Sequence, residues 1–176
     1  MNLTKLFETQ KILRDRIGYN EPDRFNKLIL ALLVELGECA NEWRGFKFWS
    51  KNQKPRTKKF GVGFANPGGV FQYETNPLLE EYVDGLHFIL ELGLEINLDT
   101  FVFYLLPECG ETVTEQFNWI FTVVVDFGAF KNKGDYNELI SSYIHLGKML
   151  GFTWEEVEQA YYTKNKINHQ RQEEGY

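Results

Sequence analysis

The residues of this chain best suited to chemistry are two pairs of carboxylates. Glu35 and Glu38 stand at i and i+3 within an apolar run from Leu28 to Ala40, and Glu81 and Asp84 repeat that spacing between Leu78 and Phe88. On a helix, side chains three apart share a face, so each pair points one way. Two ionised carboxylates on one apolar face repel each other and lose hydration, at a cost of several kcal/mol each as an order of magnitude. Arginines, lysines or a divalent cation must offset that. Packed antiparallel, two such helices would converge four carboxylates, an oxygen-rich set that suits Mg²⁺ better than zinc. Pairs of this kind also occur on solvated helix faces. That explanation is weaker for Glu35 and Glu38, because their helix keeps little other polar surface.

The elements that must position these groups read as helices. Leu3 to Ile17 and Asn20 to Glu42 form the first two, the second with Asn20 as cap and Pro22 and Asp23 in its first turn. Apolar nearly all round, the second helix is expected to be buried among others. Lys47 to Pro77 reads as an irregular loop, with Gly69 to Tyr73 able to form a short strand or hairpin arm. Leu78 to Ile96 is the third helix. Leu98 to Leu106 reads as a short helix stopped by Pro107. Thr112 to Phe130, Asp135 to Leu150, and a last helix from Thr153 to about Gln172 complete an all-α bundle. Thr153 and Glu156 form a capping box. A glycine accompanies each carboxylate pair. Gly37 and Gly85 each cost roughly 1 kcal/mol relative to alanine, in return for close helix approach or room for a ligand.

Composition narrows the class. At 176 residues and 43% hydrophobic content, the chain suits one ordinary folded domain, residues 1–176. A formal net charge of −6 disfavours stable binding to nucleic acid or to an anionic membrane. The first residues lack a signal-peptide pattern, and no apolar run is long enough to span a bilayer. Cys39 and Cys109 are too few for a disulfide framework, so the compartment reads as reducing, hence cytoplasmic. There is no phosphate-binding Gly-rich loop and no Cys/His metal spacing.

Glu35-x-x-Glu38 followed by Glu81-x-x-Asp84 resembles the signature of the all-α NTP pyrophosphatases, which include the MazG-like enzymes and the dimeric dUTPases. Three stretches resemble the dimeric dUTPases in particular: Asn41 to Ser50, Glu80 to Phe88, and the tail from Tyr162 to Tyr176. The resemblance implies a homodimer of helical subunits, Mg²⁺ held by Glu35, Glu38, Glu81 and Asp84, and hydrolysis of dUTP to dUMP and pyrophosphate. It further implies acceptance of dUDP and attack at the β phosphorus. Glu35 or Glu38 would orient or deprotonate the water, with Glu35 preferred.

The same resemblance assigns Gln10 and Trp49 to the base and His87 and Phe88 to the sugar. Taken alone, Phe88 is equally a core residue and His87 a structural histidine. Lys164, Asn168 and Arg171 fall at i, i+4 and i+7, one helical face that can bind phosphate or simply complement the helix dipole. Tyr176 lies close by in sequence. Six cations between Lys47 and Lys59 form a solvated loop, a lid on the triphosphate or a contact with nucleic acid, with Lys47 carried to the site. Glu80, Glu91 and Glu95 read as surface charges. Two rivals share these features: a related pyrophosphohydrolase with another base preference, such as dCTP, and a non-catalytic helical interaction dimer.

Overall fold

The computed structural model describes residues 3–65, 68–98, 103–107 and 109–175. In chain order the elements are α1 (Leu3–Ile17), α2 (Arg24–Trp43), β1 (Lys59–Ala65), β2 (Gly69–Thr75), α3 (Pro77–Glu95), α4 (Val113–Phe130), α5 (Lys133–Met149) and α6 (Trp154–Glu173). The architecture is all-α, with β1 and β2 as an antiparallel hairpin in the segment between α2 and α3. The strand expected at Gly69 to Tyr73 therefore forms and pairs with a second arm. Residues 103–107 are not helical, so the short helix expected from Leu98 to Leu106 is not formed there, and its residues 99–102 lie outside the described ones.

Caps set the helix starts. Asn76 accepts from the Leu79 amide, and Pro77 follows at the first helical position, where its missing N–H costs nothing. Thr112 with Glu115 and Thr153 with Glu156 each complete a capping box. The start of α2 differs from expectation. Its cap is Asp23, without a side-chain cap bond, and Asn20 instead accepts from Arg24.

Helix α3 is the axis of the molecule, packing on α1, α2, α5 and α6. Its approach to α5 is reciprocal. Tyr82 donates to the Tyr143 carbonyl at 3.0 Å, Tyr143 donates to the Tyr82 carbonyl at 2.6 Å, and their rings stack. Each ring crosses a glycine of the other helix. A Cβ on Gly85 would collide with the Tyr143 hydroxyl, and one on Gly147 with that of Tyr82. Close approach is thus the use of Gly85.

Helices α2 and α3 run antiparallel. Arg24, at the start of α2, meets Glu91 near the end of α3, while Glu35 in mid-α2 meets Glu81 near the start of α3. The expectation that α2 is surrounded by other helices is corrected. It packs on α3 and α4 along one side, where Leu32, Leu36 and Cys39 are buried. Leu30 and Val34 are 62% and 48% exposed on the other. Period 3.6 gave the face, but an all-apolar circumference cannot say whether the second cover comes from the same chain. No helix among the described residues is long and apolar enough to cross a membrane.

Candidate active site

The antiparallel pairing of α2 and α3 brings Glu35, Glu38 and Glu81 together, each offering an oxygen within 4.8 Å of the others. The Glu35 and Glu81 carboxyls lie close enough for each to act on the other's charge. Burial, followed by the charges of Asp84 and Glu38, pushes Glu35 up to about 7. Burial and the neighbouring Asp84, Glu38 and Glu35 push Glu81 equally to about 7. Asp84 stands beside this trio. Burial raises it too, opposed by Lys164 and Arg171, and its Oδ2 accepts from Lys164 Nζ at 2.5 Å.

Glu35 and Asp84 open onto a cavity of about 480 Å³ that is also lined by Gln10, Arg24, His87, Phe88, Glu91, Lys164, Asn168 and Arg171. Its size is that of a small-molecule site. Lys164, Asn168 and Arg171 come from one face of α6, as their spacing predicts, and they face the cavity together with the carboxylates. One wall is therefore anionic and another cationic, a pattern that can hold a polyphosphate together with a cation.

At the other end, Gln10, His87 and Tyr161 form a buried network. Tyr161 donates to Gln10 Oε1 at 2.9 Å, and His87 Nδ1 lies 2.9 Å from the same oxygen. Gln10 Nε2 donates to Glu91 at 2.9 Å. His87 stacks on Tyr161 with centroids 4.1 Å apart. Burial, with Lys164 nearby, pulls its pKa down to about 3, so the imidazole is neutral near pH 7.

Glu91 and Glu95 are not surface charges. Glu91 is 5% exposed, bonded to Arg24 and 3.6 Å from Arg14. Glu95 pairs with Arg14 at 3.0 Å and Arg24 at 3.5 Å. The signal was available in the sequence. Glu91 follows Asp84 by seven residues and His87 by four, on a helix as apolar as α2, so like Glu35 it is a charge that needs a partner. Its arginine partners come from α1 and from the start of α2, which spacing within one helix cannot reveal.

Two expected substrate-binding residues lie elsewhere. Trp49 is 65% exposed, edge-on to Phe46 and Phe48, and Lys47 bonds Asn41 and lies over the Phe46 ring. Neither lines the cavity. Helix α2 ends at a left-handed Arg44, whose guanidinium holds the Asn52 carbonyl, so residues 44–52 fold as a turn of their own. Tyr176 lies outside the described residues.

No curated protein matches the chain. The family model described as dUTPase matches residues 2–63 and 70–176, spanning every helix and interrupted only around the hairpin turn. With nearly the whole chain matched and the paired carboxylates facing a basic helix across a nucleotide-sized cavity, the chain belongs to the dUTPase family and hydrolyses dUTP.

Proposed function

We propose that the chain cleaves dUTP, and also dUDP, to dUMP in a Mg²⁺-dependent reaction that releases pyrophosphate from dUTP. The observation that carries this is the convergence of Glu35, Glu38 and Glu81 within 4.8 Å. Three hard oxygen donors this close fit a hard divalent cation, and burial together with mutual repulsion raises the affinity of Glu35 and Glu81 for protons, a load that a cation would relieve. These three, with Asp84 alongside, would hold the metal. Bound there, Mg²⁺ would neutralise phosphate charge and lower the pKa of water.

The chain's own residues do the rest. Glu35 lines the cavity, whereas Glu38 does not, so Glu35 is the better placed to orient the attacking water and accept its proton. Lys164, Asn168 and Arg171 bind phosphate oxygens, the arginine with the option of two parallel bonds. Phe88 and Gln10 lie at the nucleoside end with the neutral His87. Lys47 and Trp49, outside the cavity, make no contact with substrate inside a single chain.

A homodimer is part of the proposal. Leu30 and Val34 are exposed on α2, and a Cβ on Gly37 would meet nothing within 4 Å. Within the described residues Gly37 has no close neighbour, so its open side suits approach by a second copy. The free thiols, buried Cys39 and exposed Cys109, suit a reducing compartment such as the cytoplasm.

Steady-state hydrolysis across a dNTP panel with and without Mg²⁺ tests the reaction. Preference for dUTP and dependence on the metal are expected. A preference for dCTP would overturn the base assignment, and full activity in a chelator would overturn the metal. Val34→Asp is expected to halve the mass measured by sedimentation; an unchanged mass would overturn the α2 interface.

A further inference from the structure

Glu91 lies outside the carboxylate cluster, yet it touches the one side chain through which the nucleoside end of the cavity is wired. Flanked by Arg14 and Arg24, the Glu91 carboxylate can only accept hydrogen bonds. The amide nitrogen of Gln10 must therefore face it, at 2.9 Å. That leaves Gln10 Oε1 turned towards Tyr161 and His87, both 2.9 Å away. A carbonyl oxygen cannot donate, so His87 Nδ1 must carry the proton. His87 Nε2 is then a bare acceptor, buried and without a hydrogen-bond partner among the described residues. An unpaired buried acceptor is costly, and it is a recurrent mark of a site completed by a ligand.

We infer that Glu91 is a positioning residue: clamped by Arg14 and Arg24, it fixes the Gln10 amide and thereby locks His87 as the Nδ1–H tautomer. A ligand group meeting Nε2 must then be a hydrogen-bond donor. Because Oε1 already accepts twice, Gln10 has only its second amide hydrogen left to offer a ligand. Glu91 thus sets the polarity of two neighbouring positions in the cavity wall without touching substrate. The consequence for substrate choice rests on the proposed nucleotide site, whereas the tautomer does not.

The experiment is NMR of the full-length protein labelled with ¹⁵N-histidine, in which the chain's three histidines are His87, His145 and His169. The His87 signals are those missing from a His87→Gln variant. In the parent, Nδ1 should be the protonated nitrogen and Nε2 the bare one. In Glu91→Gln, the residue facing Gln10 can donate as well as accept, so the amide can turn over and the pattern should become mixed. Glu95 still pairs both arginines in that variant, which keeps the fold supported. The KM for dUTP should rise about tenfold, the worth of one hydrogen bond, with kcat within about threefold. Protonation at Nε2 in the parent, or a parental pattern retained in Glu91→Gln, would overturn the inference. If Glu91→Gln does not fold, Gln10→Met replaces it: the locked pattern should disappear there, and its survival would equally overturn the inference. A locked tautomer in a protein that does not hydrolyse dUTP would sink the proposed reaction and leave the role of Glu91 standing.

Discussion

Glu35 and Glu91 line the same cavity on adjacent antiparallel helices, but Glu35 is surrounded by anions and Glu91 by cations. Around Glu91 two arginines meet two carboxylates, and the charges balance inside the chain. Around Glu35 three further carboxylates gather, and Lys164, held on Asp84, acts against them. Burial raises the energy of an ion in both places. At Glu91 the protein supplies the counter-charge permanently, which makes a scaffold. At Glu35 the protein supplies less counter-charge than charge, and in the proposed function a metal would make up the difference. Imbalance, more than the number of acids, separates the proposed reacting end from the end held by ion pairs.

Substitutions at the two ends should therefore behave oppositely. The largest effect is expected from Glu81→Gln. Losing a charged donor from the cluster should lower kcat/KM about a thousandfold, corresponding to several kcal/mol of transition-state stabilisation. The same variant should be more stable than the parent without metal at pH 8, because a repulsive charge has gone. Full activity, or lower metal-free stability, would erase the distinction between the clusters. Glu91→Gln should do the reverse, preserving turnover while weakening the fold by about 3 kcal/mol in urea unfolding, as expected when one partner of a buried ion pair is removed. A stability loss at Glu81 as large as that at Glu91 would mean both are scaffolds.

A smaller and reversible effect should come from pH. Glu35 and Glu81 have folded-state values of about 7, above the ordinary carboxyl value of 4.5. A group whose affinity for protons rises on folding contributes stability that is complete below its unfolded pKa and is lost as pH climbs through the folded one. Without metal, the melting temperature should fall between about pH 4.5 and pH 7, the window those two values define. With Mg²⁺ the decline should shrink, because the cation replaces the protons. An identical profile with and without the ion would count against the cluster as its site. The smallest expected effect is at Gly37, where alanine should raise helix stability by up to about 1 kcal/mol. Chain dissociation in that variant, measured by sedimentation, would show that a second copy comes close at this point.

Much of the site was legible along the chain. The Glu35–Glu38 and Glu81–Asp84 spacings, the face shared by Lys164, Asn168 and Arg171, and the Thr153 capping box are all local periodicities, and the structure holds each on the expected helix. The Glu91 clamp was missed because its meaning depends on Arg14 and Arg24, at least 67 residues away in the chain. The cap of α2 is Asp23, and Asn20 instead accepts from Arg24, itself a member of that clamp.

What the sequence determined by itself was which residues lie on the same face of each helix, since a helical repeat and a capping side chain act over a few residues whatever surrounds them. Only the tertiary structure decided which faces meet. That choice rests on interlocking volumes, such as Tyr82 across Gly147 and Tyr143 across Gly85, and it put one acid among anions and another among arginines. The same residue type stands in an unbalanced anionic cluster in one place and in a balanced ion-pair network in the other, because the energy of a buried charge depends on its neighbours in space, and those are chosen by packing.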